Sequence, residues 1–236
     1  IGGTALYAAA DKIIEKATKI AAEVLEAAEG DIECERGEFK IAGTDRSINI
    51  HEIAKIAYDP MRLPKGIEPG LNETGIFKPD APSFPNGCHG VEVEIDPDTG
   101  KTDLISYYVV DDVGNVINPL TLKGQIYGGI AQGLGQALME DIVFDPGTGQ
   151  LMSGSFQDYA MPRADDFCKI KVESNPVPTK VNPLGVKGAG EAGCVGALPA
   201  VLSAVTDALS VYGIKYIEMP ATPQRVWQAI KEAKAA

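Results

Sequence analysis

"GVKGAGEAGCVGALPAVLSAV" runs from Gly185 to Val205, and the fold turns on how it is read. Gly188, Gly190 and Gly193 spell G-x-G-x-x-G. A dinucleotide loop of that spelling needs a buried strand before it, a helix after it and an acid about 20 residues on. The apolar run after Glu191 supplies the helix. Ile214–Ile217 reads as a strand, and Glu218 would be the acid. Against this, Pro183, Gly185 and Lys187 make the preceding stretch a poor buried strand, and only 18 residues follow Glu218. Glu191 also occupies the place of a pyrophosphate, and two anions repel strongly in a dry site. No G-K-[ST] follows the glycines, which argues against a P-loop.

Glu191 can instead be the point of the loop. Small residues flank it and let a bulky group approach. A helix N-terminus favours its anion, whereas burial would favour its protonated form. Opposed in this way, the two effects suit a general base. An ordinary glutamate at a helix start is the plainer alternative. A nucleotide-binding domain using Gly188–Gly193 and a non-catalytic scaffold or interface domain also stay open.

Upstream, "GQIYGGIAQGLGQALME" (124–140) carries five glycines on a helical pattern expected from Pro119 to about Glu140. Each glycine costs roughly 0.5–1 kcal/mol against alanine, so close approach to another element or to a ligand must offset them. Gln125 and Gln132 are seven apart and share a face, and their amides both donate and accept. Tight helix packing with the glutamines on a wet flank explains the same pattern.

Elsewhere the periodicity predicts a first helix over 4–29 ended by Gly30, and a small hairpin over 32–41. A short strand and helix follow over 48–58, then an irregular connection over 59–88 holding six prolines. Val91, Val93 and Ile95 alternate with acids, and Asp96–Gly100 forms a turn to a second strand over 101–110. A similar turn over 145–149 separates strand-like 142–144 and 151–156, and Ile170–Glu173 is another short strand. Helices are expected from Glu191 to about Tyr212 and over 223–234. The class is α+β, with mixed helices and small, mostly antiparallel sheets. Residues 1–88 read as one region and 89–236 as the site-bearing region.

The net charge of −12 and pI near 4.6 disfavour nucleic acid and anionic lipid, which call for lysine and arginine clusters. No run of 18 apolar residues suggests a membrane span. Four scattered cysteines form no C-x-x-C pair, and the histidines are His51 and His89 alone. That argues against a zinc or iron–sulfur site built by this chain and suits a reducing, cytoplasmic setting. No signal-peptide pattern is visible. The first residue is Ile1, not Met, which fits a processing site or a break within a longer polypeptide.

Three blocks together resemble one family: "GCHGVEVEIDPDTGKTDLISYYVVDDVGNVINPLTLKGQIYGGIAQGLGQALMED" (87–141), "QDYAMPRADD" (157–166) and "NPLGVKGAGEAGCVGALPAVLSAVTDAL" (182–209). In order and spacing they resemble the molybdopterin-binding large subunit of the xanthine dehydrogenase/aldehyde oxidase family of molybdenum hydroxylases. The resemblance implies that Glu191 is the active-site base, taking the proton of a molybdenum-bound hydroxide or water that attacks an electrophilic carbon. It implies that Gln125, beside Gly124, contacts the cofactor near the metal. Lys187, Gly188, Ala189 and Gly190 would form the loop presenting Glu191, and the glycine-rich helix would lie against the pterin or the strands around it. Asp111, Asp112 and Asn118 read as turn and cap chemistry, His89 as a capping or packing residue, and Tyr127 as packing.

The implied cofactor is molybdenum-molybdopterin, as molybdopterin itself or its cytosine dinucleotide. The implied substrate is a small molecule: an aldehyde, a purine, an N-heterocycle or carbon monoxide. The chain matches about the last third of such a subunit. The implied partners are the rest of that subunit, a [2Fe–2S] subunit and an FAD subunit, as a dimer of heteromers inactive without them.

Overall fold

A computed structural model describes residues 1–235. They form two compact units, residues 1–80 and 81–235.

In the first unit, α1 (Gly2–Leu25) and α2 (Ile50–Ala57) accompany an antiparallel sheet of β1 (Ile32–Glu35), β2 (Glu38–Ile41) and β3 (Ser47–Asn49). Ala17, Ile20, Ala21 and Leu25 of α1 bury against Phe39, Ile48, Ile53 and Ile56. The helix stops before Gly30, the expected end. Glu26 turns left-handed at φ 53°, and Ala27 N–H donates back to Ala22 O, so the backbone closes its own end while Val24 and Ala28 stay exposed. Asn49 caps α2 by accepting from Glu52 N–H at 3.0 Å. Residues 59–80 are irregular, as expected, and run along α1. Lys12 Nζ donates to Thr74 O at 2.7 Å, Lys16 pairs with Glu73 at 3.5 Å, and a Cβ on Gly75 would overlap α1 backbone at Ala5 and Ala9.

The second unit carries the site. β4 (Asn86–Ile95) and β5 (Thr102–Asp112) make the expected hairpin, and β6 (Ile170–Ser174) adds in parallel to β5. Asp96 shapes the turn by accepting from Asp98 N–H and Thr99 Oγ1. The hairpin holds a bulge: Glu92 faces Ser106 and Val93 faces Leu104, leaving Ile105 unpaired. One extra residue inverts the alternation of the strand. Tyr107, Val109 and Asp111 therefore all turn inward and are buried. The strands expected at 142–144 and 151–156 shrink to a single bridge, Phe144–Leu151. Ile142, Val143 and Phe144 are exposed there, so the flanks of that turn lack a buried face. Ile214–Ile217 forms no strand.

The core of this unit is a pair of helices, α3 (Pro119–Leu138) and α4 (Ala192–Leu209), with the sheet and α5 (Pro223–Ala235) packed around them. Asn118 caps α3 by accepting from Leu120 and Thr121 N–H. Gly129 and Gly133 let the α3 backbone reach α4, since Cβ atoms there would strike Cys194 N and the Ala197 side chain. Gly193 answers from α4, facing Ile126 O and Ile130 N. The segment Ala192–Tyr212 is long and apolar enough, by length and composition, to cross a membrane, which corrects the expectation of no such segment. Its Gly193, Ala197, Val201, Val205 and Leu209 are instead buried as the core stripe of this unit.

Two substitutions separate the glycine roles. Gly133→Val should lose about 1–3 kcal/mol by overpacking the helix contact. Gly124→Ala, on an open helix face, should hold or gain about 0.5–1 kcal/mol. Chemical denaturation checks both.

Candidate functional site

The loop before α4 is tied down at its root. Gly185 takes φ 66°, Asn115 N–H donates to its carbonyl at 3.0 Å, and Lys187 N–H donates to Val113 O at 2.8 Å. Lys187 Nζ meets Asp112 Oδ2 at 2.5 Å, with both side chains largely buried. Asp112 also accepts from Val177 and Gly114 N–H, each at 2.9 Å. The Lys187 hydrogen bond first, then those two amides, hold the Asp112 carboxyl well below the usual carboxylate range. The ammonium of Lys187 is thus engaged as a tether. Beyond it, Gly188 and Gly190 are exposed and Ala189 half-buried. Glu191 then sits at the N-cap of α4, exposed, with no side-chain capping hydrogen bond among the described residues.

The tip of this loop lies beside α3. A Cβ on Gly190 would stand 3.8 Å from Gln125 Nε2. The structure thus brings Gln125, Gly190 and Glu191 together, with Gly124 one residue along α3. Three of the five α3 glycines face protein: Gly129 and Gly133 meet α4, and Gly135 meets Pro162 and Glu140. The strands expected against this helix are replaced, at those positions, by α4 and the 157–166 stretch. Gly124 and Gly128 face open space, with nothing among the described residues within 4 Å of a Cβ. Gln125 and Gln132 are exposed on the same side. Tyr127 packs, donating to Ile170 O at 3.3 Å.

The dinucleotide spelling fails on its surroundings. Only a single bridge, Gly114–Val186, precedes the loop where a strand is needed, and Gly193 packs against another helix.

Glu191 also lines a cavity of about 500 Å³ with Phe84, Pro85, Val195, His89 and Asp111. Glu191 and Phe84 are exposed at its rim, whereas the His89 and Asp111 side chains are only 4% and 3% exposed. His89 pairs across the hairpin with Val109, so its diagonal neighbours are Tyr107 and Asp111. His89 Nδ1 lies 2.6 Å from the Tyr107 hydroxyl and Nε2 lies 3.5 Å from Asp111 Oδ1. Burial first, then the Asp111 charge, pushes the Tyr107 phenol far above its ordinary value. Asp111 Oδ2 is buried with no hydrogen-bond partner among the described residues. Sequence reading placed Asp111 in turn chemistry and His89 in capping or packing, and missed this cluster. The doubled residues of "YYVVDD" (107–112) hide which of each pair faces inward.

A family model described as a molybdopterin cofactor-binding domain matches residues 1–168. The nicotine 6-hydroxylase large subunit of Paenarthrobacter nicotinovorans is 40% identical over 98% of this chain and 28% of its own length. The carbon monoxide dehydrogenase large chain of Hydrogenophaga pseudoflava is 36% identical over 100% of this chain and 29% of its own. Quinoline 2-oxidoreductase from Pseudomonas putida 86 superposes with a TM-score of 0.83 at 35% identity, covering 93% of this chain and 28% of that one. The chain therefore spans 28–29% of the length of the curated relatives it matches.

The tether carries its own test. A depressed carboxyl contributes stability above its unfolded value of 3.8 and loses it as the pH falls toward the folded value. Asp112→Asn should therefore be less stable than wild type at pH 7. The gap should shrink below about pH 4, as read by denaturation across pH.

Proposed function

We propose that this chain, which belongs to the molybdopterin cofactor-binding family of molybdenum hydroxylase large subunits, supplies the general base and one wall of the cofactor site. The observation that carries the reading is the placement of Glu191. Its carboxylate is exposed at the start of a core helix, on a loop tied at its root, beside Gln125 and the open backbone at Gly124 and Gly128.

These residues fit the cofactor. The open α3 glycines admit a flat, bulky group to van der Waals distance of backbone, where any side chain would intrude. Gln125 offers both a donor and an acceptor to a pterin edge or an oxo group. Gly188, Ala189 and Gly190 expose backbone, and the Lys187–Asp112 pair fixes the loop carrying them. When bound, the cofactor supplies the two-electron redox chemistry and the electrophilic metal. Glu191 accepts the proton of the attacking water, and the α4 N-terminus stabilises the carboxylate that must be regenerated.

The reaction is oxidation of a C–H centre in a small molecule, an aldehyde, purine or N-heterocycle, with water as the oxygen source. The names of the nicotine- and quinoline-linked relatives support the last class, whereas a carbon monoxide-linked relative keeps the range wide. The pterin is molybdopterin itself or its cytosine dinucleotide. The remaining part of the large subunit, a [2Fe–2S] subunit and an FAD subunit complete the enzyme and carry electrons away, in a dimer of heteromers. The four unpaired cysteines support a cytoplasmic setting.

In the assembled enzyme, Glu191→Gln should lower turnover about 10²–10⁴-fold while molybdenum stays bound. Steady-state kinetics with elemental analysis of the same sample decides it, and near-normal turnover would refute the base.

A further inference from the structure

We propose that the outer face of α4, with the groove between it and β4, is the docking surface for the remaining part of the large subunit, and that this docking closes the cavity at Glu191. The docking follows from the family to which the chain belongs. Its effect on Glu191 rests on the reading of Glu191 as the base.

α4 is apolar on more sides than it buries. Ala192–Tyr212 is apolar enough to cross a membrane, yet 22% of that stretch is buried. One stripe, Ala197, Val201, Val205 and Leu209, fills the core. The opposite stripe, Val195, Pro199, Ser203 and Asp207, recurs every four residues and is exposed. A solvated helix face ordinarily carries charge along its length, whereas this one carries it at Asp207 alone.

A groove runs beside that stripe. Half-buried Gly196, Ala200 and Ala204 form one wall of it. Cys88 and Val91 of β4 form the other, around a volume of about 600 Å³. Gly87, His89 and Gly196 line both this groove and the cavity at Glu191, so the two make one continuous surface. On the cavity wall, Phe84 is 71% and Val195 67% exposed.

The chemistry selects the occupant. Small residues along the groove leave room that large aliphatic or aromatic side chains fill to protein density. A face so poor in charge suits a permanent contact, which resembles a core cut in half, over a transient one. The chain spans 28–29% of the length of its curated relatives, so each relative has more than twice this length besides. A segment of the same polypeptide docks without the full loss of translational freedom that a separate subunit incurs. A second copy carries the same net charge of −12 and is repelled. Docking covers Phe84 and Val195 and shuts bulk water away from Glu191, which strengthens the electrostatic interactions made there.

The assembled enzyme carries its own probe, because Cys88 is exposed in this chain and lies in the groove. Iodoacetamide should modify Cys88 at least about tenfold more slowly in the native enzyme than in urea, as read by peptide mass spectrometry. The occupant is identified by placing photoreactive benzoylphenylalanine at Ser203 and sequencing the cross-linked peptides. If that variant fails to assemble, Asp207 takes the probe. The expected adducts lie in the large subunit outside these 236 residues. Alkylation of native Cys88 at the rate seen in urea overturns the proposal. So do adducts to a second copy, to other residues of this chain or to the iron–sulfur or flavin subunit, and so does the absence of any adduct. Free alkylation of Cys88 with an inactive Glu191→Gln removes the docking alone. Protection of Cys88 with normal turnover in Glu191→Gln removes the base reading alone.

Discussion

The close approach of α3 and α4 through Gly129, Gly133 and Gly193 sets the geometry of everything around the site. With glycine at these positions the two backbones come close together, and the start of α4 is held against the first half of α3. That contact is why Gln125 and Glu191, 66 residues apart, end up beside one another. It also explains how the protein tolerates glycines that would each cost about 0.5–1 kcal/mol in an isolated helix. At Gly129 and Gly133 helix packing offsets the cost. At Gly124 and Gly128 nothing among the described residues does, and those positions lie on the face proposed above for the cofactor.

Around that contact, Glu191 stands between two different environments. On one side are neutral amides and bare backbone: Gln125, Gly124, Gly128 and Gly190. On the other is a cavity lined in part by the almost fully buried His89 and Asp111. The first side is the one proposed above for the cofactor.

Much of this was legible in the sequence. The hairpin around Asp96–Gly100, the glycine-rich helix and the helix after Glu191 stand where periodicity and turn chemistry put them. The dinucleotide spelling was open to rejection because Pro183, Gly185 and Lys187 cannot make a buried strand. Other features lay beyond local pattern. The end of α1 at Glu26 depends on a left-handed non-glycine residue that no propensity signals. The flanks of the Asp145 turn alternate like strands, yet have no sheet to bury against. The His89–Asp111 cluster required the bulge at Ile105, because a one-residue shift decides which residue of each doublet in "YYVVDD" turns inward. The roles of Gln125 and Glu191 came from family resemblance, since their spacing alone fits ordinary helix packing and an ordinary helix start.

The central claim is that the outward glycine face of α3, beside Glu191, is a wall of the molybdenum cofactor site. The most direct measurement is elemental molybdenum in the assembled protein, purified from a host that makes the cofactor, for wild type and Gly128→Phe. Gly128 faces open space, so a phenylalanine there leaves the helix contact intact, and circular dichroism should show the fold unchanged. The account predicts stoichiometric molybdenum in the wild type and its loss in Gly128→Phe. Full molybdenum retention by a folded Gly128→Phe protein would contradict it.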